Sequence, residues 1–169
     1  MTVVVRPGAV ADAENLNQLY NWYVANSVIT FDIEPWSLSK RLDWIANFNN
    51  NNNPHHLFVA EQNGGLCGYA CNGQFRPKAA YGSSTEVTVY TDPNGVPRGT
   101  GSLLYSVLFD AIKATSLHRA YAIIALPNDT SIRLHKKFGF REVGTLDQVG
   151  TKFGKRINIT WFEKTLDRS

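Results

Sequence analysis

No stretch of this sequence approaches the roughly 20 consecutive apolar residues that a membrane-spanning helix requires. Its first residues also lack the charged-then-apolar plan of a secretion signal. A soluble, cytoplasmic protein without a membrane partner is expected. The formal net charge is +3, yet no window gathers five or six Lys or Arg, so the basic stripe of a nucleic-acid surface is missing. No paired Cys or His set has metal-ligand spacing, and no metal is expected. No serine or cysteine stands in a recognisable nucleophile elbow, which favours direct group transfer over a covalent acyl-enzyme. The two cysteines, Cys67 and Cys71, lie four apart on what reads as one strand. Such residues share a face but sit about 13 Å apart at ~3.3 Å per residue, too far for a disulfide, so free thiols in a reducing compartment are expected.

What is present suits one compact domain over residues 1–169, with 43% hydrophobic residues and no repeat or linker to divide it. Val3 to Val5 reads as a strand, and the helical pattern that follows starts at Asp12 and carries Leu16, Leu19, Tyr20 and Tyr23. Ser37 is a good N-cap for a second helix with Leu38, Leu42, Ile45 and Phe48 on one side. The asparagine run Asn49 to Asn53, closed by Pro54, reads as a solvated connection. Asn63-Gly64-Gly65 predicts a hairpin between Leu57–Glu61 and Leu66–Phe75, and Glu86 to Thr91 continues the antiparallel sheet. A helical stripe follows at Leu103, Leu104, Val107, Leu108, Ala111 and Ile112, then a strand at Tyr121 to Leu126. Asp129 or Thr130 can cap a last helix through Phe138, and two final strands pivot on Gly154. The order β, α, α, β, β, β, α, β, α, β, β predicts an α/β fold, a mixed and mostly antiparallel sheet with helices on both faces.

The densest functional signal is EVTVYTDPNGVPRGTGSLL, residues 86–104: an apolar strand, a Gly- and Pro-rich turn, then an abrupt helix. That order leaves free backbone N–H groups and the positive end of a helix dipole just beyond a strand end, a seat for phosphate oxygens. Glu86 is an unusual residue to open a central strand, where it faces either solvent or a cleft. His135, in SIRLHKKFGF, can exchange protons near neutral pH or simply pack on its helix. The remaining histidines, His55, His56 and His118, look merely solvated. Arg76 and Lys78, one residue apart, fall on one face if extended and can clamp an oxyanion.

Several blocks together resemble the GNAT superfamily of N-acetyltransferases, and within it the phosphinothricin and methionine sulfoximine acetyltransferases. They are VITFDIEP, GYACNGQFRPKAAY, STEVTVY, LPNDTSIRLHKKFGF and VGTLDQVGTKFGKRINITWF, in one order over almost the whole chain. The resemblance implies acetyl-CoA as co-substrate, with its pyrophosphate on the loop Val96, Pro97, Arg98, Gly99, Thr100, Gly101 and Ser102. The loop keeps both glycines, but Val96 replaces the family's usual polar residue and Pro97 has no N–H to donate. It further implies that Val89, Tyr90 and Thr91 lie along the pantetheine arm, that Asn128 meets the same arm, and that Glu86 and His135 handle the protons. Asn128 equally suits a helix cap. For the acceptor it implies Phe31, Glu34, Arg76, Lys78 and Tyr81, with Lys78 where the family often has a second Arg. On composition alone Phe31 reads as core and Glu34 as surface. Lys152-Phe153-Gly154 matches a family turn that serves equally as a plain hairpin. The expected activity is acetylation of the α-amino group of a small amino acid analogue by a homodimer. Acetylation of another small amine or a protein N-terminus, or a CoA-binding module without catalysis, are the alternatives.

Overall fold

The computed structural model describes residues 2–49 and 52–166, so positions 50 and 51 of the asparagine run lie outside the described residues. Seven strands form one sheet in the order β1-β2-β3-β4-β5-β7-β6. The strands are β1 Val4–Pro7, β2 Leu57–Gln62, β3 Gly65–Gln74, β4 Ser84–Thr91, β5 Arg119–Ala125, β6 Arg141–Lys152 and β7 Lys155–Thr165. The helices are α1 Ala13–Asn26, α2 Leu38–Ala46, α3 Thr100–Lys113 and α4 Asp129–Lys137. Among them no helix is long and apolar enough to cross a membrane.

Turn and cap chemistry sets the element boundaries. Asn63 and Gly64 both have positive φ, as do Phe153 and Gly154, which is what tight two-residue hairpins demand. Asp12 begins no helix by itself: a short 3-10 turn at Val10–Asp12 precedes α1, and the Asp12 carboxylate is held by Arg6 at 2.7 Å and by the Ala9 amide at 2.8 Å. Ser37 caps α2 through the Lys40 amide, and Asn128 caps α4 by accepting from the Ser131 amide at 3.2 Å. Of the caps the sequence offered, Asn128 holds this place, ahead of Asp129 and Thr130. β4 begins at Ser84, so Glu86 is its third residue.

The helices cover both faces of the sheet. Leu16 and Leu19 of α1 and Ile45 of α2 pack with Leu57, Val59, Tyr69 and Cys71. On the other face Leu104, Tyr105, Leu108 and Ile112 of α3 pack with Ala60, Ala70, Val87 and Ala122. Two expected faces are corrected. Leu38 and Leu42 are exposed, whereas Ile45 and Phe48 of the same expected stripe pack into the core, and Arg41 is buried beside them because three aromatic rings surround its guanidinium. Cys67 and Cys71 do not share a face. Ala60 pairs with Gly68 and Glu61 with Leu66, so Cys67 is an extra residue that bulges β3 and turns into the α3-side core. Both thiols are free and buried.

Gly68, beside this bulge, is a point of close approach. A Cβ there would stand 2.9 Å from the Tyr90 carbonyl oxygen and 3.3 Å from Leu104. A backbone carbonyl within a ladder cannot swing aside as a side chain can. Gly68→Ala is expected to destabilise the protein by about 1–3 kcal/mol through overpacking, read as a lowered Tm; an unchanged Tm would show that β3 and β4 part at no cost.

Candidate active site

The one parallel pair among the described strands sets the site. β4 meets β5 only over Ser84–Glu86 against Arg119–Tyr121, after which β4 stays with β3 and β5 with β7. The edges of Val87–Thr91 and Ala122–Ala125 thus face a gap through the sheet. This gap belongs to a cleft of about 1210 Å³ that reaches both faces.

The loop after β4 closes one end. Val96, Pro97 and Arg98 line it, and Gly99, at φ 96°, stands in the N-cap position of α3. The Thr100 amide and hydroxyl turn back to the Pro97 carbonyl at 3.2 and 2.8 Å, and the Leu103 amide bonds Gly99. Among the described residues the amides of Gly101 and Ser102 take no partner, and both line the cleft at the positive end of the helix. Arg98, Arg133 and Lys137 bring cations there, Lys137 donating to the Ser102 hydroxyl at 3.0 Å. A pyrophosphate fits this chemistry although Pro97 offers no amide. The sequence reading missed Arg133 and Lys137, whose placement one helical turn apart on α4, facing α3, is a tertiary fact.

Glu86 comes from the middle of the cleft. It lies opposite Gly73, as Thr88 does opposite Cys71 and Tyr90 opposite Tyr69, and directly paired residues share a face. All six therefore face α1 and α2. Burial raises the Glu86 carboxyl above its ordinary range, and the Arg76 guanidinium, 3.6 Å away, opposes that rise. Arg76 itself donates to the Phe75 carbonyl at 2.6 Å and lies over the rings of Phe75 and Trp161.

His135 reaches the cleft from the opposite face and is 3% exposed. Its Nδ1 meets the Ser131 carbonyl at 2.7 Å, so Nδ1 carries the proton and Nε2 accepts from the Tyr105 hydroxyl at 2.9 Å. Burial lowers the imidazole below its ordinary range, with the Ser131 bond opposing, and the ring is neutral at pH 7. Tyr105 also lines the cleft and was not singled out from the sequence. Its helical spacing beside Leu104 and Leu108 marks it only as core, and the signal that distinguishes it is the histidine of another helix.

The cleft brings together Glu86, His135, Val89, Tyr90, Thr91, Asn128, Phe31, Arg76 and the whole loop from Val96 to Ser102. It does not include Glu34, Lys78 or Tyr81, all exposed. Arg76 and Lys78 part company because β3 ends at Gln74, so the segment carrying them is not extended strand. Lys78 instead precedes a 3-10 turn at Ala79–Tyr81, and Tyr81 packs edge-on against Phe75. Phe31 is 41% exposed, not core, with its ring laid against Gly150. His118 is exposed, whereas His55 and His56 are half-buried, which corrects the expectation of three solvated rings. Among the described residues no group of three His, Cys, Asp or Glu could hold a metal ion.

Residues 8–161 match the model of the acetyltransferase (GNAT) domain. The chain belongs to this family. The GNAT chain is 47% identical over 166 residues to a phosphinothricin N-acetyltransferase of Streptomyces coelicolor, covering 97% of this chain and 96% of that one. It is 30% identical over 167 residues to an L-methionine sulfoximine/L-methionine sulfone acetyltransferase of Pseudomonas aeruginosa, covering 99% and 96%. The crystal structure of a GNAT superfamily phosphinothricin acetyltransferase from Sinorhizobium meliloti in complex with acetyl-CoA superposes with a TM-score of 0.90 at 26% identity, covering 98% of this chain and 89% of that one. This chain is an N-acetyltransferase.

Proposed function

We propose that the protein transfers acetyl from acetyl-CoA directly to the α-amino group of a small amino acid analogue of the phosphinothricin or methionine sulfoximine type. One observation carries the reading: a partly buried carboxyl and a free-amide helix end open on one cleft where β4 leaves β5. The relatives named above supply the substrate class. Acetyl-CoA brings the activated thioester, and the residues do the rest. The amides of Gly101 and Ser102, with Arg98, seat its phosphates, and the free edge of Val89–Thr91 aligns its arm. Glu86 takes the ammonium proton of the acceptor. Cys71 also lines the cleft, but burial pushes its thiol up to about 12, so it stays protonated and is a poor nucleophile, which supports transfer without an acyl-enzyme.

A base must be ionised, so kcat/KM falls as pH drops through the Glu86 pKa. Arg76 holds that pKa down against burial. Arg76→Ala is expected to move the acidic limb of the pH profile to higher pH. A limb that stays in place, or moves lower, would separate it from Glu86.

The function itself is tested by thiol release from acetyl-CoA with phosphinothricin, methionine sulfoximine, methionine sulfone and a short peptide offered separately. Release with the small analogues is expected, and release with the peptide alone would overturn the reading. A cytoplasmic homodimer completes it. The twelve-residue edge strand β6 supports this, since it leaves Val143, Leu146 and Val149 exposed beside a free ladder edge. Sedimentation at twice the monomer mass of 18.9 kDa is the expected result.

A further inference from the structure

The most unusual charged group in the molecule is Arg41 of α2. It is 1% exposed, and its Nη2 is buried with no hydrogen-bond partner. Its Nε has only a long contact with the Asn17 side chain at 3.5 Å. Among the described residues no carboxylate pairs with it. The carboxylate of Asp32 is taken by the Tyr20 hydroxyl at 2.5 Å and the Trp36 indole at 2.7 Å. The Tyr69 hydroxyl is a neutral hydrogen-bond partner, and the rest of what holds the guanidinium is aromatic: the rings of Trp36, Trp44 and Tyr20 lie 4.3, 4.6 and 4.9 Å from its carbon.

Cation–π contacts recover only part of what a buried cation loses on leaving water, and removal of an ion's partner in such a place costs far more than the pair contributes. A guanidinium in this condition, in the wall of a cleft, lacks an anion. It lies on the acceptor side. Tyr69 and Cys71, which pack with α1 and α2, share their sheet face with Glu86, and the Cys71 thiol feels both the Arg41 cation and the Glu86 carboxylate. Cys71 is one same-face step from the residue opposite Glu86, about 6.6 Å along the strand. An amino acid with its amine at Glu86 can therefore extend its side chain toward Arg41. Arg76 is less available for the same task because it is already engaged with Glu86 and the Phe75 carbonyl.

We propose that Arg41, inside its cage of Tyr20, Trp36 and Trp44, is the subsite for an oxyanion at the far end of the acceptor's side chain, so that the enzyme selects amino acids whose side chain ends in a phosphinate or carboxylate. The proposal rests on the acceptor reading above and names the group that decides among small acceptors. The planar fork of the guanidinium suits a two-oxygen anion, and the neutral acceptors around it do not supply the missing charge.

The test compares kcat/KM for phosphinothricin, whose end group is anionic, with kcat/KM for methionine sulfone, whose end group is neutral and of similar length. Both carry an α-carboxylate, so their ratio isolates the distal charge. In Arg41→Met the ratio is expected to fall about 100-fold, the scale of a buried charged pair losing one member, and Arg41→Lys restores part of it. A ratio unchanged within about threefold, with both substrates losing activity together, overturns the proposal and leaves Arg41 as a brace between α1 and α2 or a holder of the α-carboxylate. If the Arg41 variants melt before assay, Cys71→Asp keeps the arginine and gives it an internal carboxylate, and the same fall is expected. If the wild type releases no thiol with either compound, the acceptor reading fails by itself. Tryptophan emission then decides this one, since Trp36 and Trp44 flank the guanidinium: a saturable change with phosphinothricin, lost in Arg41→Met or Cys71→Asp, supports it, and no change overturns it.

Discussion

Glu86→Gln is expected to lower kcat by about 10²–10⁴, the usual worth of a positioned general base, while acetyl-CoA affinity stays within about twofold. The substitution is nearly isosteric and sits third in β4, away from the amides of Gly101 and Ser102 that begin α3. Among the described residues, it removes the one carboxylate that the sheet aims into the cleft from the α1 and α2 face. Glutamine also ends the ion pair with Arg76, so the guanidinium gains freedom to attract the acceptor's carboxylate. KM for the acceptor should therefore hold or fall as kcat drops, a split that a loosened fold would not produce. Steady-state kinetics with the reactive acceptor and a binding isotherm for acetyl-CoA together check this. Unchanged kcat would remove Glu86 from the chemistry, and loss of acetyl-CoA binding would recast it as a structural group.

The element order was legible because the hydrophobic periods, the Asn-Gly and Phe-Gly turns and the caps at Ser37 and Asn128 are local signals. The loop from Val96 to Ser102 was legible for the same reason, since its chemistry is mostly backbone. What stayed hidden is non-local. The bulge at Cys67 depends on the register of β2, and nothing in LCGYAC announces it. The inward turn of Arg41 depends on rings from α1, from the segment before α2 and from α2 itself, so the expected stripe was right at Ile45 and Phe48 but wrong at Leu38 and Leu42. Arg76 and Lys78 look like a pair in sequence, but the end of β3 at Gln74 separates them. Tyr105 and His135 are 30 residues apart and meet only because α3 and α4 pack side by side.

That last pair carries a result of comparable size. Tyr105→Phe and His135→Ala should each lower kcat by about 10²-fold, and the double variant should be little worse than the poorer single one. The Ser131 carbonyl fixes the proton on Nδ1, so Nε2 can receive a proton only from the direction of the Tyr105 hydroxyl. On the proposed function, a proton passing between the cleft and the imidazole would move through that oxygen: the hydroxyl would give its proton to Nε2 and take another from the cleft, and the reverse would return one to a departing thiolate. Burial lowers the imidazole pKa, so the ring accepts a proton only transiently and gives it back readily. Because phenylalanine keeps the edge-on contacts of ring 105 with Phe109 and Phe138, the core keeps its shape and only the relay oxygen is lost. The unpartnered Nε2 also costs about 1–3 kcal/mol of stability, which a melt reads separately from kcat. Two groups acting in series give the same loss singly and together. If the losses instead multiply in the double variant, His135 and Tyr105 act independently, and the proton reaches the imidazole by another route.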